Sequence, residues 1–349
     1  NTFLYRRGGD CTYMFSLGEL LKSKGHEVFY WGMKHPLNII HEYEEFFPEF
    51  IDYVEMNANK NPINALNVLA RSIYSFESKK KLAKFLNIVK PDIVHLNNIH
   101  AHLTPSIIDV IYKRNIPIFW TLHDYKLLCP DTHFLSNGKI CEKCKGKKFY
   151  NCVLNKCKKN SLTASFVATI EAYFHQLLRL HQKVDYLIAP SKFLKSKFVE
   201  FGCDKNKIKI IRNFLPDFLQ GNNYKEKNYI LYFGGLSPWK GILTLIEAVR
   251  KLEKVELLIV GTGTEKENIE KNIKVNKITN VHLLGYKSGD ELIKIVNESK
   301  FIIVPSECYE NCPYSIMESM AIGKPVIGAR IGGIPELIED GKTGLLFES

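Results

Sequence analysis

The second half of the chain alternates short apolar runs with helical stretches, and this alternation restricts the fold more than any other feature. The runs expected to be strands are YILYFGGL, VELLIVG, VHLLG, FIIVPS and PVIGA. The helices expected between them are ILTLIEAVRKLE, 264–274, DELIKIVNES and 313–322. Short, continuously apolar strands that alternate with helices are typical of a parallel sheet covered on both faces. We therefore predict a doubly wound α/β domain.

The first half repeats this pattern less regularly. The predicted strands are HEVFYWG, DIVHL, PIFWTL, DYLIAPS and KIKIIRN. The predicted helices are 12–24, 62–89, 105–114, 161–182 and 191–201. A polar segment rich in Asn and Lys, residues 216–228, is the linker candidate. The α/β chain is thus expected to hold two tandem Rossmann-like domains, 1–215 with an insertion at 128–160, and 229–349.

Composition and charge narrow the class of protein only slightly. The net charge of +11 is compatible with nucleic acid, phosphate-bearing substrates or an anionic membrane, and equally with a solvated Lys-rich surface. The most apolar helical segment, SLTASFVATIEAYF, contains Glu171 and indicates an amphipathic helix rather than a membrane span. No signal peptide is visible, so a cytoplasmic location is expected. Because the chain lacks an initial Met and stops just after a predicted strand, we expect truncation at both ends.

The loop ECYENCPYSIMES follows the predicted strand 301–306. Ligands of doubly wound sheets bind outside the carboxyl ends of the strands. Pro313 suits the first position of a helix, with Cys312 as the N-cap. The N–H groups of Tyr314 and Ser315 would then face outward, where a phosphate group fits.

Two glutamates flank this helix start. Glu310 lies on the loop, and Glu318 lies about a turn and a half into the helix. Carboxylates accept hydrogen bonds from hydroxyl groups, which sugars supply in pairs. Both could border one pocket for a phosphorylated ligand, or they could be ordinary solvated side chains.

The segment ECYENCPYSIMESMAIGKPVIGARIGGIPELIEDGKTGLLF resembles the E-x7-E signature of retaining family 4 glycosyltransferases, which have the GT-B fold of two Rossmann-like domains facing a cleft. The resemblance implies that Glu310 contacts sugar hydroxyls of a nucleotide-sugar donor and that Glu318 holds the ribose. It also implies a diphosphate cradle formed by the backbone of Asn311, Cys312, Pro313 and Tyr314.

The stretch YFGGLSPWKG is similar to a second family motif. Lys240 stands where the family has a Lys that neutralises phosphate, and Gly235 and Ser237 lie in the same donor-binding loop. Gly235 occupies the position of a usual Arg. Either another cation substitutes for this Arg, or activity is weak.

Three further glycine-containing stretches match the family's donor site. The resemblance assigns Gly261 and Gly263 of VGTG to donor binding, and it places Gly285 and Tyr286 near the nucleotide base. The remaining predicted residues belong to the first domain: Gly8 and Gly9 of RRGGD, near the donor phosphate and acceptor, and His123 of TLHDY, near the donor sugar.

The insertion contains a cluster of cysteines with metal-ligand spacing. Cys141, Cys144, Cys152 and Cys157 could close a tetrahedral structural zinc site. Nearby lysines would favour thiolates. Free thiols, or disulfides in an oxidising compartment, are the alternatives.

These features together predict a retaining glycosyltransferase that moves a sugar from a UDP- or GDP-sugar to a polysaccharide, lipid-linked or other glycan acceptor. His123, Glu310 and Lys240 are the predicted catalytic residues. The sequence has no Asp-x-Asp pair, so no cofactor is expected for catalysis. We also predict that the first half of the chain has a basic surface that docks on the inner face of an anionic membrane. Its residues are Arg71, Lys79, Lys80, Lys81, Lys84 and Lys90.

Three other functions stay open at this point. A nucleotide-sugar epimerase on the same fold matches the E-x7-E setting less well. A zinc-containing nucleic-acid-binding protein would explain charge and cysteines but not that loop, so nucleic acid is not an expected partner. A non-catalytic sugar- or nucleotide-binding subunit is suggested by Gly235.

Overall fold

The computed structural model describes residues 1–50, 70–100, 102–215, 224–252 and 254–349. The chain divides into two compact units. The first consists of Asn1–Ser136, Glu142–Pro190 and Lys195–Arg212, and the second of Asn137–Cys141, Ser191–Leu194 and Asn213–Ser349. Most of the predicted linker lies outside the described residues, so the predicted domain boundaries stay a prediction.

A parallel sheet with flanking helices forms the first unit. Its helices are α1 (Gly9–Ser23), α2 (Phe76–Val89), α3 (Ser106–Tyr112), α4 (Tyr150–Leu154), α5 (Leu162–Leu177) and α6 (Lys192–Glu200). The residues of α6 are divided between the two units. The strands of this part of the chain are β1 (Val94–Leu96), β2 (Ile118–Thr121), β3 (Leu135–Ser136), β4 (Lys139–Ile140), β5 (Tyr186–Ala189) and β6 (Ile208–Ile210), of which β4 belongs to the second unit. The sheet order is β1-β2-β5-β6, and every pairing within it is parallel.

Three predictions for the first half were wrong. HEVFYWG forms no strand, because only isolated hydrogen bonds to its backbone hold it, such as that from the Asn1 amino group to Trp31 O at 3.1 Å. The predicted helix 161–182 stops at Leu177, since Arg179 adopts a left-handed φ of 49° and a short 3₁₀ turn follows. The predicted helix 62–89 is interrupted at Tyr74 and Ser75, because Ser75 has an extended backbone and caps a new helix, and its part before residue 70 lies outside the described residues.

The second unit contains the alternating elements that the sequence predicts. Its strands are β7 (Tyr229–Phe233), β8 (Glu256–Val260), β9 (Val281–Gly285), β10 (Ile302–Val304), β11 (Val326–Ala329) and β12 (Gly344–Phe347). Its helices are α7 (Ile242–Val249), α8 (Lys266–Val275), α9 (Gly289–Glu298) and α10 (Tyr314–Ala321).

The continuously apolar strands are explained by helices on both faces of this sheet. All five residues of β7 are buried. Leu231 and Phe233 pack in a core that includes Ile316 of α10. Ile230 and Tyr232 point to the opposite face, into a second core that includes α7.

The strand order of this sheet is β12-β11-β10-β7-β8-β9, all parallel. The chain runs outward from β7 to β9 and then returns to β10 on the other side of β7. The order therefore reverses between β7 and β10, and a crevice for ligands is expected at their carboxyl ends. Among the described helices, none is long and apolar enough to span a bilayer.

Candidate functional site

The two charged residues predicted to be catalytic in the second unit meet at this switch point. Lys240 follows β7, Glu310 follows β10, and the distance from Lys240 Nζ to Glu310 Oε1 is 2.5 Å. The Ser306 hydroxyl donates a second hydrogen bond to the same oxygen, at 2.7 Å. The side chains of Lys240 and Glu310 are 28% and 12% exposed, so one ligand in the crevice could contact both.

The neighbouring carboxylate keeps Lys240 charged. Burial alone lowers the pKa of Lys240, but the negative charge of Glu310, with smaller contributions from Cys308 and Tyr232, raises the pKa above its usual value. Lys240 is therefore a fixed cation at physiological pH.

Close backbone contacts fix the loop that carries Glu310. Gly332 has a φ of +61°, and a Cβ there would lie 2.3 Å from the Glu310 carbonyl oxygen. Gly333 N donates to the same oxygen at 2.6 Å. Gly241, beside Lys240, has a φ of +68°, and its Cβ would lie 1.9 Å from the Pro305 carbonyl oxygen. Sequence reasoning gave these glycines and Ser306 no role, because the contacts depend on which strands are neighbours.

The turn into α10 contains the four residues predicted to cradle a diphosphate, but its N-cap differs from the prediction. Pro313 is the N-cap, and Tyr314 is the first helical residue. The ψ of Pro313 is 125°, so Pro313 remains extended and the helix begins one residue later than expected. In the described part of the chain, no side chain caps this helix start. The Cys312 thiol instead contacts Met317 Sδ at 3.5 Å, and the first N–H groups of α10 keep no intrahelical acceptor.

Glu318 lies on α10 and is only partly exposed. Burial raises the pKa of its carboxyl group. Among the described residues, none forms a hydrogen bond to this carboxylate. A desolvated carboxylate without a protein partner is costly, and it suits a ligand that supplies hydroxyl groups.

Glu318 therefore gives a prediction about stability and pH. The pKa of Glu318 is higher in the folded than in the unfolded chain. The contribution of this carboxyl group to folding stability is therefore fully present below the unfolded value of 4.5, and it is lost as pH rises through the folded pKa. Glu318→Gln should raise Tm at about pH 7 and leave it unchanged near the unfolded pKa. Thermal unfolding across this pH range, with the exposed Glu267→Gln as control, tests it. Equal shifts in both variants would contradict the prediction.

Glycines hold the carboxyl ends of β7 and β8 together. A Cβ at Gly261 would lie 1.9 Å from the Gly234 carbonyl oxygen, and one at Gly263 would lie 2.2 Å from that of Leu236. This packing explains both glycines without a ligand, and their contact with a donor stays a prediction. The other predicted residues at this edge are Ser237, which precedes a 3₁₀ turn, Gly285, which ends β9, and the exposed Tyr286.

The predicted site residues of the first unit lie at helix and strand ends. Gly8 is the N-cap of α1, and Gly9 is its first residue, three residues earlier than predicted. His123 comes two residues after β2, and its Nε2 lies 2.9 Å from Asn97 Oδ1. Burial lowers the pKa of His123, and this effect outweighs the negative charges of Asp10 and Asp124, which raise it. His123 is therefore neutral at physiological pH. The predicted donor contacts of these three residues stay predictions.

The thiols of the insertion pair differently from the predicted zinc set. Cys129 shares a hydrogen bond with Cys144, and Cys152 shares one with Cys157. Cys141 belongs to the second unit. Within the described ranges, no group of three or more His, Cys, Asp or Glu side chains is arranged to hold a metal ion.

Structural zinc stays a prediction, and the thiol pairing sharpens its test. Elemental analysis of the purified protein should find about one zinc per chain. If Cys129 replaces Cys141 among the ligands, Cys129→Ser should lose the zinc and Cys141→Ser should keep it; the set predicted from sequence requires loss in Cys141→Ser. Protein without stoichiometric zinc would contradict both ligand sets.

Comparison with known protein families assigns the class of this protein. Residues 7–217, more than half of the chain, match the family model described as Glycosyltransferase Family 4, and residues 216–349 match the one described as Glycosyl transferases group 1. The chain therefore belongs to glycosyltransferase family 4.

Known structures support the same fold at low sequence identity. A sucrose-phosphate synthase from Thermosynechococcus elongatus matches with a TM-score of 0.69 and 17% identity, over 100% of this chain and 82% of that one. HepE from Anabaena, in complex with UDP-glucose, matches with a TM-score of 0.63 and 16% identity, over 100% and 84%. The prediction of the GT-B fold is confirmed.

Curated relatives match over different shares of their length. The Methanocaldococcus jannaschii glycosyltransferase MJ1178 is 33% identical over 47% of this chain and 45% of its own. Sulfoquinovosyl transferase SQD2 of Arabidopsis thaliana is 28% identical over 48% and 36%. The chain thus matches about half or less of these two relatives. A 42.6 kDa protein from the cps region of Klebsiella pneumoniae is 24% identical over 95% and 84%.

Proposed function

We propose that this protein is a retaining, metal-independent glycosyltransferase that moves a sugar from a UDP- or GDP-sugar to a glycan or lipid-linked acceptor. The observation that carries the proposal is the contact of Lys240 with Glu310 at the switch point of the second sheet. A nucleotide sugar needs a cation for its diphosphate and acceptors for its hydroxyl groups. This crevice offers the Lys240 cation and the Glu310 carboxylate, which are hydrogen-bonded to each other.

Each charged residue has a separate role in this proposal. Lys240 leaves Glu310 for the diphosphate and, with the start of α10, stabilises the charge that develops on the leaving group. Glu310 then accepts hydrogen bonds from the transferred sugar. The ribose hydroxyls bind the carboxylate of Glu318, which has no hydrogen bond from any described residue.

The bond changes follow from this arrangement. The bond between the anomeric carbon and the phosphate oxygen breaks, and the electron pair stays on the diphosphate beside Lys240. The acceptor hydroxyl oxygen forms the new glycosidic bond on the same face of the sugar, which retains the configuration, and the hydroxyl proton passes to the departing phosphate oxygen. The sequence has no Asp-x-Asp pair, so Lys240 and the helix start take the role that a divalent metal has in other glycosyltransferases.

Two relatives support the donor and acceptor classes. HepE is described in complex with UDP-glucose, which favours a UDP-sugar as donor here. The Erwinia amylovora relative AmsK is described as an amylovoran biosynthesis glycosyltransferase, which favours a polysaccharide or its lipid-linked precursor as acceptor.

The function is tested by incubating the protein with UDP-, GDP- and ADP-sugars and a panel of glycan and lipid-linked acceptors. We expect one donor to be consumed, with the product keeping the anomeric configuration by NMR. The exposed Lys294→Met should match the wild type as a control. A donor that binds without turnover would favour a non-catalytic nucleotide-sugar-binding subunit, the candidate that Gly235 suggests.

Gly235 gives a gain-of-function prediction. No described atom lies within 4 Å of a Cβ at this position, and its φ is outside the left-handed region. An Arg can therefore be accommodated, and one charged hydrogen bond to the diphosphate is expected to lower the donor Kd about tenfold. Calorimetry on Gly235→Arg tests this, with the neutral Gly235→Gln as control. An unchanged Kd in both variants would refute the prediction.

A further inference from the structure

Helix α5 has its large apolar side chains on the outside. Its buried residues are small or polar, namely Ser165, Ala168, Thr169 and Glu171. Apart from Thr163, every exposed position of the helix carries a large apolar side chain: Leu162, Phe166, Ile170, Tyr173 and Leu177. Their spacing of three and four residues places them along one side of the helix. Their exposed fractions run from 40% at Tyr173 to 78% at Leu177.

Helix α4 extends this surface. Its exposed residues Tyr150 and Leu154 are apolar, and the Tyr150 N–H donates to the Tyr173 hydroxyl at 3.3 Å. The Phe149 ring packs on the Tyr173 ring, with centroids 5.2 Å apart. We call the seven exposed side chains of α4 and α5 the apolar stripe. Single exposed apolar residues are ordinary, but a contiguous patch indicates a binding surface.

The chain around the apolar stripe is strongly and uniformly basic. Residues 143–170 contain no Asp or Glu. They contain seven lysines, Lys143, Lys145, Lys147, Lys148, Lys156, Lys158 and Lys159, and all except Lys158 are exposed. Lys147 and Lys148 precede Phe149, the N-cap of α4, and Lys156 follows its C-cap. Exposed apolar side chains that lie close in sequence to many exposed cations are complementary to an anionic lipid surface.

We propose that the apolar stripe and its lysines form a docking surface for an anionic lipid bilayer. The apolar side chains enter the boundary between headgroups and acyl chains, and the lysines contact lipid phosphates. A second copy of this chain is a poorer occupant, because two segments with seven lysines and no acid would face each other. The proposal is independent of the donor chemistry proposed above.

The basic surface predicted from the sequence is partly neutralised. Arg71 forms an ion pair with Glu77 at 2.8 Å, and Lys81 lies 3.6 Å from Glu49. This region nevertheless adjoins the apolar stripe, because the Tyr74 ring contacts Phe174 of α5 with centroids 5.9 Å apart. The structure thus moves the expected centre of membrane contact from α2 to α4 and α5.

Vesicle flotation tests the proposal with matched variants. We compare vesicles of phosphatidylcholine alone with vesicles that also contain phosphatidylglycerol. Phe166→Gln/Leu177→Gln should weaken binding to the anionic vesicles about 30-fold, because two apolar side chains no longer leave water. Lys147→Gln/Lys148→Gln should weaken it by a similar factor, with no effect on neutral vesicles. The controls are Lys271→Gln/Lys274→Gln and Val275→Gln, exposed positions on α8.

Each outcome decides the proposal. The proposal is supported if the wild type binds anionic vesicles, the variants of the apolar stripe and of Lys147 and Lys148 lose this binding, and the α8 controls keep it. Wild-type protein that stays off anionic vesicles overturns it, and so does equal loss in the controls. If the wild type binds no vesicles but self-associates without lipid, and Phe166→Gln/Leu177→Gln abolishes this self-association, the surface belongs to an interface with a second copy instead. Unchanged donor binding in these variants separates this result from the proposed transfer reaction.

Discussion

Lys240→Met is expected to lower kcat for sugar transfer by about 100- to 1,000-fold, the usual effect of removing one charge-stabilising donor from an active site. Methionine keeps the apolar stem and removes the charge. The leaving diphosphate then loses its cation, and Gly235 supplies no second one. Steady-state kinetics on the preferred donor measures the loss, with Lys294→Met as the surface control.

A second variant separates this chemical effect from damage to the fold. In Lys240→Met the partly buried Glu310 loses its cation, so some loss of stability is expected as well. Lys240→Met/Glu310→Gln removes both charges and should recover Tm toward the wild-type value while activity stays low. Recovery of activity together with Tm would mean that Lys240 has only a structural role.

Gly332→Ala is expected to lower kcat/KM by about 100-fold, because a misplacement of catalytic groups by about 1 Å has effects of this size. The new Cβ would lie 2.3 Å from the Glu310 carbonyl oxygen and 2.5 Å from the Glu310 nitrogen. Backbone atoms cannot turn aside as a side chain can, so the loop that carries Glu310 must shift from its position beside Lys240.

Gly341→Ala is a matched control for this prediction. Gly341 also has a left-handed φ, +78° against +61° at Gly332, but no described atom lies within 4 Å of its Cβ position. Both variants therefore bear the conformational cost of alanine at positive φ, and only Gly332→Ala displaces Glu310. Tm should fall further in Gly332→Ala, because only its new Cβ meets backbone atoms, and kinetics at a temperature where both variants are folded should show a large loss of activity in Gly332→Ala alone. Equal activity in the two variants would refute the positioning role of Gly332.

The elements of the second unit could be predicted from the sequence because their pattern is local. Apolar runs long enough for a strand, such as FIIVPS, alternate with helical segments, and each helix and strand there lies within a few residues of its predicted place. HEVFYWG is also rich in apolar residues but forms no ladder, because pairing depends on a neighbouring strand. The N-cap at Pro313 was misplaced by one residue, since its ψ cannot be read from residue type.

The candidate site was predictable as a set of residues and not as an arrangement. Glu310 and Lys240 were found through family motifs, but their direct contact follows from β7 lying beside β10, a non-local fact. The helical pattern of α5 was equally clear, and its amphipathic character was expected. Which face of α5 is buried could not be deduced, because the packing of the insertion decides it.

The central claim is that the crevice of the second unit binds a nucleotide sugar through Glu318, Glu310 and Lys240. Calorimetry of UDP, GDP, ADP and their common sugars against the wild type and Glu318→Ala tests it most directly. We predict that one nucleoside diphosphate binds with a Kd below about 100 µM and that Glu318→Ala loses this binding. No binding of any of these ligands by wild-type protein that circular dichroism shows to be folded would contradict the claim.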